Sequence, residues 1–274
     1  MTSSRDTSPG PGPRACMASS SGRTEPSTPP PEPNSRRPPP VDTMHPPTDD
    51  LPAPVMSLEG VTKRFGGVHA VKGIDLVIPA GKVVALVGEN GAGKSTLGKI
   101  IAGVHRPDSG RILVDGVQVS LHSPRDGLKH GIALVAQELA LVQQMSVADN
   151  VFLGFESQTM AFVGNHSNRR RFEDLQRSVG FALHPDDRAG SLRLADQQKV
   201  EILRALARNA RIIVMDEPTA ALTRDEAKSL FEIIRRLTSQ GASIVFVSHF
   251  LDDVLDLADT VVVLNPDPPM SLGG

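Results

Sequence analysis

An α/β fold with a mainly parallel sheet is predicted by three features of the sequence. Several short runs are apolar throughout, which favours strands buried on both faces of a sheet. Helical patterns alternate with these runs along the chain. A glycine-rich loop follows the apolar run 83–87 and precedes another helical pattern. Together these features predict a doubly wound core with helices on both sides of its sheet.

The clearest predicted helix begins after Thr223. Thr223 and Glu226 have the spacing of a capping box, in which each satisfies a backbone N–H of the other residue. Apolar residues then recur at helical spacing from Ala227 to Leu237, which predicts one buried face. The predicted strands cover 56–62, 73–78, 83–87, 111–114, 132–135, 212–215, 243–247 and 260–264, and the predicted helices follow Lys94, start at Ser123, and cover 195–208 and 223–238.

The foldable sequence is predicted to be residues 55–264, with an inserted helical subdomain at about 138–194. Within this insertion the sequence shows no strand pattern, and Ser146 is suited to cap a helix. The basic run 169–171 indicates a solvated helix face. Fifteen of the 23 prolines precede residue 55, so residues 1–54 are predicted to be a disordered tail. The alternative for its triple-proline runs is a polyproline II ligand for a partner domain. Residues 265–274 are predicted to be unstructured or a truncated end.

Composition excludes several classes of protein. No apolar stretch is long enough to cross a membrane, and the N-terminus lacks the pattern of a signal peptide, which predicts a cytoplasmic location. Cys16 is the only cysteine, so a disulfide framework and a cysteine metal site are both excluded. A net charge of −2 argues against a dedicated nucleic-acid binder.

The glycine-rich loop has the composition of a phosphate-binding loop. Its glycines allow a tight turn that directs several backbone N–H groups at one point, where the next helix presents its positive end. Lys94 adds a cation for the β and γ phosphates, and the Ser95 hydroxyl suits Mg²⁺. The alternative is a structural strand-to-helix turn. The predicted nucleotide-binding residues of the loop are Gly88, Glu89, Asn90, Gly91, Ala92, Gly93, Lys94, Ser95 and Thr96.

Polar side chains that suit phosphate transfer follow three other predicted strands. Asp216 and Glu217 end the run at 212–217, where the first is suited to hold Mg²⁺ through water and the second to polarise an attacking water. Gln137 and His249 follow two further strands. Because the carboxyl ends of parallel strands meet at one edge of a sheet, we expect these residues to converge with the loop.

These motifs, in their order and spacing, resemble those of ATP-binding-cassette (ABC) ATPases. The resemblance covers about 57–264 and rests on GENGAGKST, the glutamine in VAQE, SLRLADQQKVEI, VMDEPTAAL and VSH. The stretches QELALVQQMSVADNVFLG, DEPTAALT and VSHFLDDV look closest to the first cassette of sugar importers, whose ATPase chain usually carries two cassettes. The family implies a P-loop NTPase core with a small antiparallel β subdomain and an inserted helical subdomain.

The resemblance also implies roles for individual residues. Glu217 matches the catalytic base, His249 the switch histidine at the γ phosphate, and Gln137 the residue that links Mg²⁺ and water to the permease contact. Ser95 and Asp216 match the other metal positions, with ATP and Mg²⁺ as the cofactors. Phe65 matches the aromatic that stacks on adenine; its alternative is a core aromatic of the β subdomain.

One motif departs from the family pattern. The signature sequence begins Leu-Ser-Gly-Gly-Gln in the family, and the matching run here is residues 192–196, in which Arg193 replaces the serine. In the family the signature of one cassette closes over the ATP held by its partner, so the serine hydroxyl contributes to a shared site. We therefore predict weakened hydrolysis, unless Ser191 takes over the contact or the guanidinium binds phosphate itself.

The sequence thus predicts an ATPase subunit on the inner face of the cell membrane that drives import of a small solute, with a sugar as the expected solute. Its predicted partners are transmembrane permease subunits, a second cassette as homodimer or separate chain, and indirectly a solute-binding protein, but no nucleic acid. A second cassette is absent from the chain. The alternative is a truncated, catalytically impaired nucleotide-binding cassette, and an ATPase acting on nucleic acid or ribosomes is disfavoured by the charge balance.

Overall fold

The computed structural model describes residues 43–44, 53–154 and 165–265. These residues form an α/β fold with two sheets, as predicted. The strands are β1 Thr43–Met44, β2 Pro54–Phe65, β3 Val68–Pro79, β4 Val83–Gly88, β5 Ser109–Val114, β6 Val117–Val119, β7 Ile132–Val135, β8 Ile212–Asp216, β9 Ser243–Val247 and β10 Thr260–Leu264. The helices are α1 Lys94–Ile101, α2 Pro124–Lys129, α3 Val147–Phe152, α4 Asn165–Val179, α5 Leu194–Ala207, α6 Arg224–Ser239 and α7 Leu251–Leu257, with a short 3₁₀ helix at Ala189–Ser191.

The larger sheet has the strand order β1-β10-β4-β9-β8-β7. All its strands except β1 run parallel, so the carboxyl ends of β10, β4, β9, β8 and β7 lie along one edge. Every residue of β8 and β9 is buried, and all of them are apolar except Asp216 at the end of β8 and Ser243 at the start of β9. Burial on both faces of the sheet explains why the apolar residues are consecutive rather than alternating.

Apolar side chains pack on both faces of this sheet. Ile213 and Phe246 belong to a core shared with helices α3 to α6, whereas Val214 and Val245 belong to a core shared with α1 and the smaller sheet. Because successive strand residues point to opposite faces, each strand contributes to both cores. Packing on both faces therefore holds the strands of the larger sheet in place, and with them the edge at which their carboxyl ends lie.

The smaller sheet is antiparallel, with the order β3-β2-β5-β6. The sequence analysis missed β6, because its three residues are too few to give a pattern. The preceding turn could have revealed it: Asp115 and Gly116 both have positive φ angles, 51° and 75°, as a two-residue type I′ hairpin requires. Aspartate followed by glycine is the sequence signal of that turn.

The predicted helix starts are confirmed by their caps. The Ser123 and Ser146 hydroxyls accept hydrogen bonds from the N–H groups of Asp126 and Asp149, at the starts of α2 and α3. Thr223 and Glu226 form the complete capping box at the start of α6. Within the predicted helical insertion lie α3, α4 and the 3₁₀ helix.

The predicted tails fall mainly outside the described residues. Residues 43 and 44, which lie within the segment predicted to be disordered, form β1 and pair with Val262 and Val261 of β10. The remainder of 1–52, with both triple-proline runs, and residues 266–274 are not described. Among the described helices, none is both long and apolar enough to span a membrane.

Candidate nucleotide-binding site

The glycine-rich loop joins the end of β4 to the start of α1, as predicted. Gly88 has φ of +151°, and a Cβ added there would lie 2.2 Å from the Leu264 carbonyl oxygen. Gly93 has φ of +90°, and its Cβ would lie 2.0 Å from the Ala70 carbonyl oxygen. No side chain fits at either position, so these glycines are required by close backbone approach as well as by conformation.

Gly93→Ala should destabilise the fold strongly, because the new methyl group meets backbone rather than a movable side chain. We expect a loss of about 3 kcal/mol or more in the free energy of unfolding, measured by urea denaturation. Gly91→Ala is the matched control: Gly91 also has positive φ, +88°, but nothing lies within 4 Å of its added Cβ. That variant should lose only about 1–2 kcal/mol. Equal losses would contradict the steric explanation.

Lys94 lies at the centre of the loop. Its side chain is buried, and its ammonium donates hydrogen bonds to the carbonyl oxygens of Gly88, at 2.8 Å, and Glu89, at 3.0 Å. The side chain therefore folds back over the loop instead of extending into solvent. These two bonds hold a positive charge against the backbone of the loop.

Asp216 lies beneath the loop, buried at the end of β8. Its Oδ1 accepts a hydrogen bond from the Ser95 hydroxyl at 2.8 Å. A hydroxyl next to a carboxylate is an all-oxygen donor set of the kind that Mg²⁺ prefers. The described residues contain no group of three or more His, Cys, Asp or Glu side chains able to hold a metal ion.

Glu217 follows β8 in a left-handed conformation, with φ of +51°. Its N–H donates to the Val247 carbonyl oxygen at 2.9 Å, which ties the residue to the end of β9. A non-glycine residue in this region of backbone space is uncommon and often marks a functional position. The turn carries the carboxylate into the cavity at the sheet edge.

His249 contacts Glu217 directly. The His249 Nδ1 and the Glu217 Oε2 are 2.7 Å apart, although the residues are 32 positions apart in the chain. The Glu217 side chain is only 10% exposed and that of His249 is 40% exposed. The imidazole ring also packs against the ring of Phe250, with centroids 3.9 Å apart. A nearly buried carboxylate is thus paired with an accessible imidazole.

A cavity of about 390 Å³ brings most of the predicted residues together. Ala70, which the sequence analysis missed, also lines it and gives no signal in the sequence. Gly88 and Glu89 line an adjoining cavity, while Ala92 is partly buried against the core. The predicted site residues that line the first cavity are Asn90, Gly91, Gly93, Lys94, Ser95, Thr96, Gln137, Glu217 and His249.

Phe65 does not line this cavity, and it is not the core aromatic that the alternative interpretation required. It is the last residue of β2, and its side chain is 45% exposed. Its ring packs edge-on against the imidazole of His105, with centroids 5.2 Å apart and planes at 70°.

The signature run surrounds the start of α5. Arg193 is the N-cap residue, but its side chain makes no capping hydrogen bond and is 80% exposed. The guanidinium lies 3.4 Å from the Asp196 carboxylate. Ser191, the predicted substitute for the missing serine, lies in the 3₁₀ helix and donates its hydroxyl hydrogen bond to the Arg188 carbonyl oxygen at 2.7 Å.

Two side chains missed by the sequence analysis support the segment after Glu217. Gln198 on α5 donates to the Pro218 carbonyl oxygen at 2.5 Å, and Thr219 donates to the Asp253 carboxylate on α7 at 2.6 Å. Gln198 could have been found, because it is a polar residue within the buried stripe of α5. These contacts link the position of Glu217 to two helices.

The fold and this site define a nucleotide-binding domain of the P-loop NTPase class. A family model described as "ABC transporter" matches residues 71–220. The chain is 26% identical to a nucleotide-free ATP-binding cassette from an ABC transporter, with a TM-score of 0.70 over 78% of this chain and 88% of that one. It is 25% identical to a dimeric bacterial ABC transporter cassette, with a TM-score of 0.66 over 77% of this chain and 94% of that one.

The chain belongs to the ABC transporter family of ATP-binding domains. It is 47% identical over 211 residues to the ribose import ATP-binding protein RbsA 3 of Rubrobacter xylanophilus. The aligned residues make up 77% of this chain and 43% of the relative. The ribose import ATP-binding protein RbsA of Caldanaerobacter subterraneus is 41% identical over 80% of this chain and 45% of its own length. The chain therefore spans less than half the length of these relatives.

Proposed function

We propose that the chain binds ATP with Mg²⁺ in the 390 Å³ cavity and hydrolyses its γ phosphate. The observation that carries this proposal is the convergence of Lys94, the Ser95–Asp216 pair and the Glu217–His249 pair on one sheet edge. A cation, an oxygen donor set and a carboxylate are the parts that phosphoryl transfer to water requires.

The phosphate loop and Lys94 bind and orient the triphosphate. The loop N–H groups and the ammonium neutralise charge on the transferring group. Ser95, Asp216 and Gln137 would hold Mg²⁺, which supplies further charge neutralisation when bound. Asp216 and Ser95 are already joined by a hydrogen bond, so the donor oxygens are preorganised.

Glu217 acts as the base. It accepts a proton from a water molecule as the water oxygen forms a bond to the γ phosphorus, and the bond from that phosphorus to the bridging oxygen breaks to release ADP. His249 holds the carboxylate through Nδ1, and its other ring nitrogen would contact the γ phosphate. The 2.7 Å contact thus makes the base position depend on the histidine.

We further propose that the chain works as the ATP-binding subunit of an importer for ribose or a related sugar, because its curated relatives carry that name. In this assembly it pairs with a second cassette, as a homodimer or with a separate chain. The pair contacts a transmembrane permease on the inner face of the membrane, and a solute-binding protein delivers the sugar to the permease. The proposed partners do not include nucleic acid.

A second candidate function is nucleotide binding with little or no turnover. The observation that favours it is Arg193, whose side chain makes no cap at the N-terminus of α5 and occupies the position of the family's serine. Measurement of ATP binding and phosphate release on the same preparation separates the two candidates. Binding without release supports the second.

Lys94→Ala should lower the affinity for ATP by about tenfold or more, because a charge-assisted contact to phosphate is lost. Isothermal titration calorimetry with MgATP measures the change. Lys228→Ala removes an exposed lysine from α6 and should leave the affinity unchanged. Unchanged affinity in Lys94→Ala would reject the proposed site.

The transport proposal needs its own experiment. The chain is co-expressed with a candidate permease, and the complex is isolated and reconstituted with its sugar-binding protein. ATP-dependent ribose uptake that is lost with Lys94→Ala supports the proposal. Failure of the chain to co-purify with any permease encoded beside it would contradict it.

A further inference from the structure

The segment between α1 and β5 connects the phosphate loop to the end of β2. At its start, the N–H groups of Val104 and His105 donate to the Lys99 carbonyl oxygen, at 2.8 and 3.2 Å, and so close the C-terminus of α1. Because α1 begins at Lys94, the position of His105 is fixed relative to the phosphate loop.

The other end of this segment holds the residues that precede Phe65. The N–H of Asp108 donates to the Thr62 carbonyl oxygen at 2.8 Å. The Asp108 carboxylate accepts hydrogen bonds from the Lys63 ammonium at 2.8 Å and from the Arg64 N–H at 2.7 Å. These bonds hold the backbone up to Arg64 but leave the aromatic ring itself to be fixed by its neighbours.

Among the described residues, His105 and Lys63 contact the ring of Phe65. The imidazole of His105 packs edge-on against it, and the Lys63 ammonium lies 5.5 Å from its centroid. Burial lowers the pKa of His105, and the charges of Lys99 and Lys63 lower it further, which favours a neutral ring at neutral pH. Nearly half of the Phe65 side chain is nevertheless exposed.

We propose that His105 is a positioning residue for the nucleobase: it holds the ring of Phe65 in the orientation that receives the base of a nucleotide bound at the phosphate loop. This inference rests on the proposed function and on the stacking of Phe65 against adenine that the family resemblance implies. Edge-to-face packing fixes the plane of one ring relative to the other. With His105 in place, Phe65 does not lose rotational freedom when the base stacks on it.

The test separates base binding from phosphate binding. ATP and inorganic tripolyphosphate are titrated into the full chain, with Mg²⁺ present, for the wild type and His105→Ala. We expect His105→Ala to weaken ATP binding by about 2- to 10-fold, the value of an aromatic pair, and to leave tripolyphosphate binding unchanged. His105→Phe, which keeps a ring at this position, should restore ATP affinity.

Two further variants make the result specific. The double variant Phe65→Ala with His105→Ala should bind ATP no more weakly than Phe65→Ala alone, because the histidine acts through the phenylalanine. His122→Ala, which removes an exposed histidine elsewhere, should bind ATP as the wild type does.

Three results overturn the inference. Unchanged ATP affinity in His105→Ala shows that the histidine does not position the ring. Equal losses for ATP and tripolyphosphate show that it acts through α1 and the phosphate loop, and additive losses in the double variant show that it acts independently of Phe65. If the wild type binds neither ligand, the proposed function itself fails.

Discussion

Glu217→Gln is expected to reduce ATP hydrolysis by about 10²- to 10⁴-fold, the contribution of a general base, while ATP binding is kept. The amide has the shape of the carboxylate but does not accept a proton from water. Because its oxygen or nitrogen still reaches the His249 ring, the 2.7 Å contact and the left-handed turn should survive. Phosphate release under saturating MgATP measures the rate, and calorimetry measures the affinity.

The control for this variant is Glu232→Gln, which changes an exposed glutamate of α6 in the same way. It should hydrolyse ATP at the wild-type rate. A Glu217→Gln protein with the wild-type rate would show that another group takes the proton. Loss of ATP binding in the same variant would instead show that the glutamate supports the site structurally.

The parallel sheet could be predicted because strands that are buried on both faces have runs of consecutive apolar residues. Residues 212–215 of β8 and 244–247 of β9 are consecutive apolar residues, and every residue of both strands is buried. Helix α7 was missed because its apolar residues do not form one stripe: Val254 and Leu257 are buried, whereas Leu251 and Leu255 are largely exposed. The sequence pattern therefore does not indicate which face packs on the sheet.

Convergence of the site residues was predictable from the shared edge of a parallel sheet, but the contacts between them were not. The pairing of Glu217 with His249 depends on the positive φ angle of Glu217. The sequence does not indicate this angle, because the residue is neither glycine nor asparagine. Ala70 lines the cavity, and its carbonyl oxygen closely approaches Gly93. Contacts of this kind follow from backbone geometry between elements that are distant in sequence.

Substitution of Arg193 measures how much the departure from the family signature lowers the ATPase rate. Arg193 is at the N-cap of α5, where its backbone carbonyl accepts hydrogen bonds from Asp196 and Gln197 but its side chain caps nothing. A serine hydroxyl there accepts a hydrogen bond from the first turn, which stabilises a helix by about 1 kcal/mol. In the proposed dimer such a hydroxyl would also donate a hydrogen bond to the nucleotide of the partner cassette.

Arg193→Ser is therefore expected to raise the ATPase rate of the assembled complex by about tenfold, and up to the 10² to 10³ that a single preorganised donor contributes. Arg193→Ala is the matched control, because it removes the guanidinium and its 3.4 Å contact with Asp196 without supplying a hydroxyl. If the donor is what matters, the alanine variant stays at the wild-type rate and only the serine variant rises. An equal rise in both would assign the effect to loss of the exposed charge. A fall in both would show that the guanidinium itself binds phosphate, which its five donors and fixed charge permit.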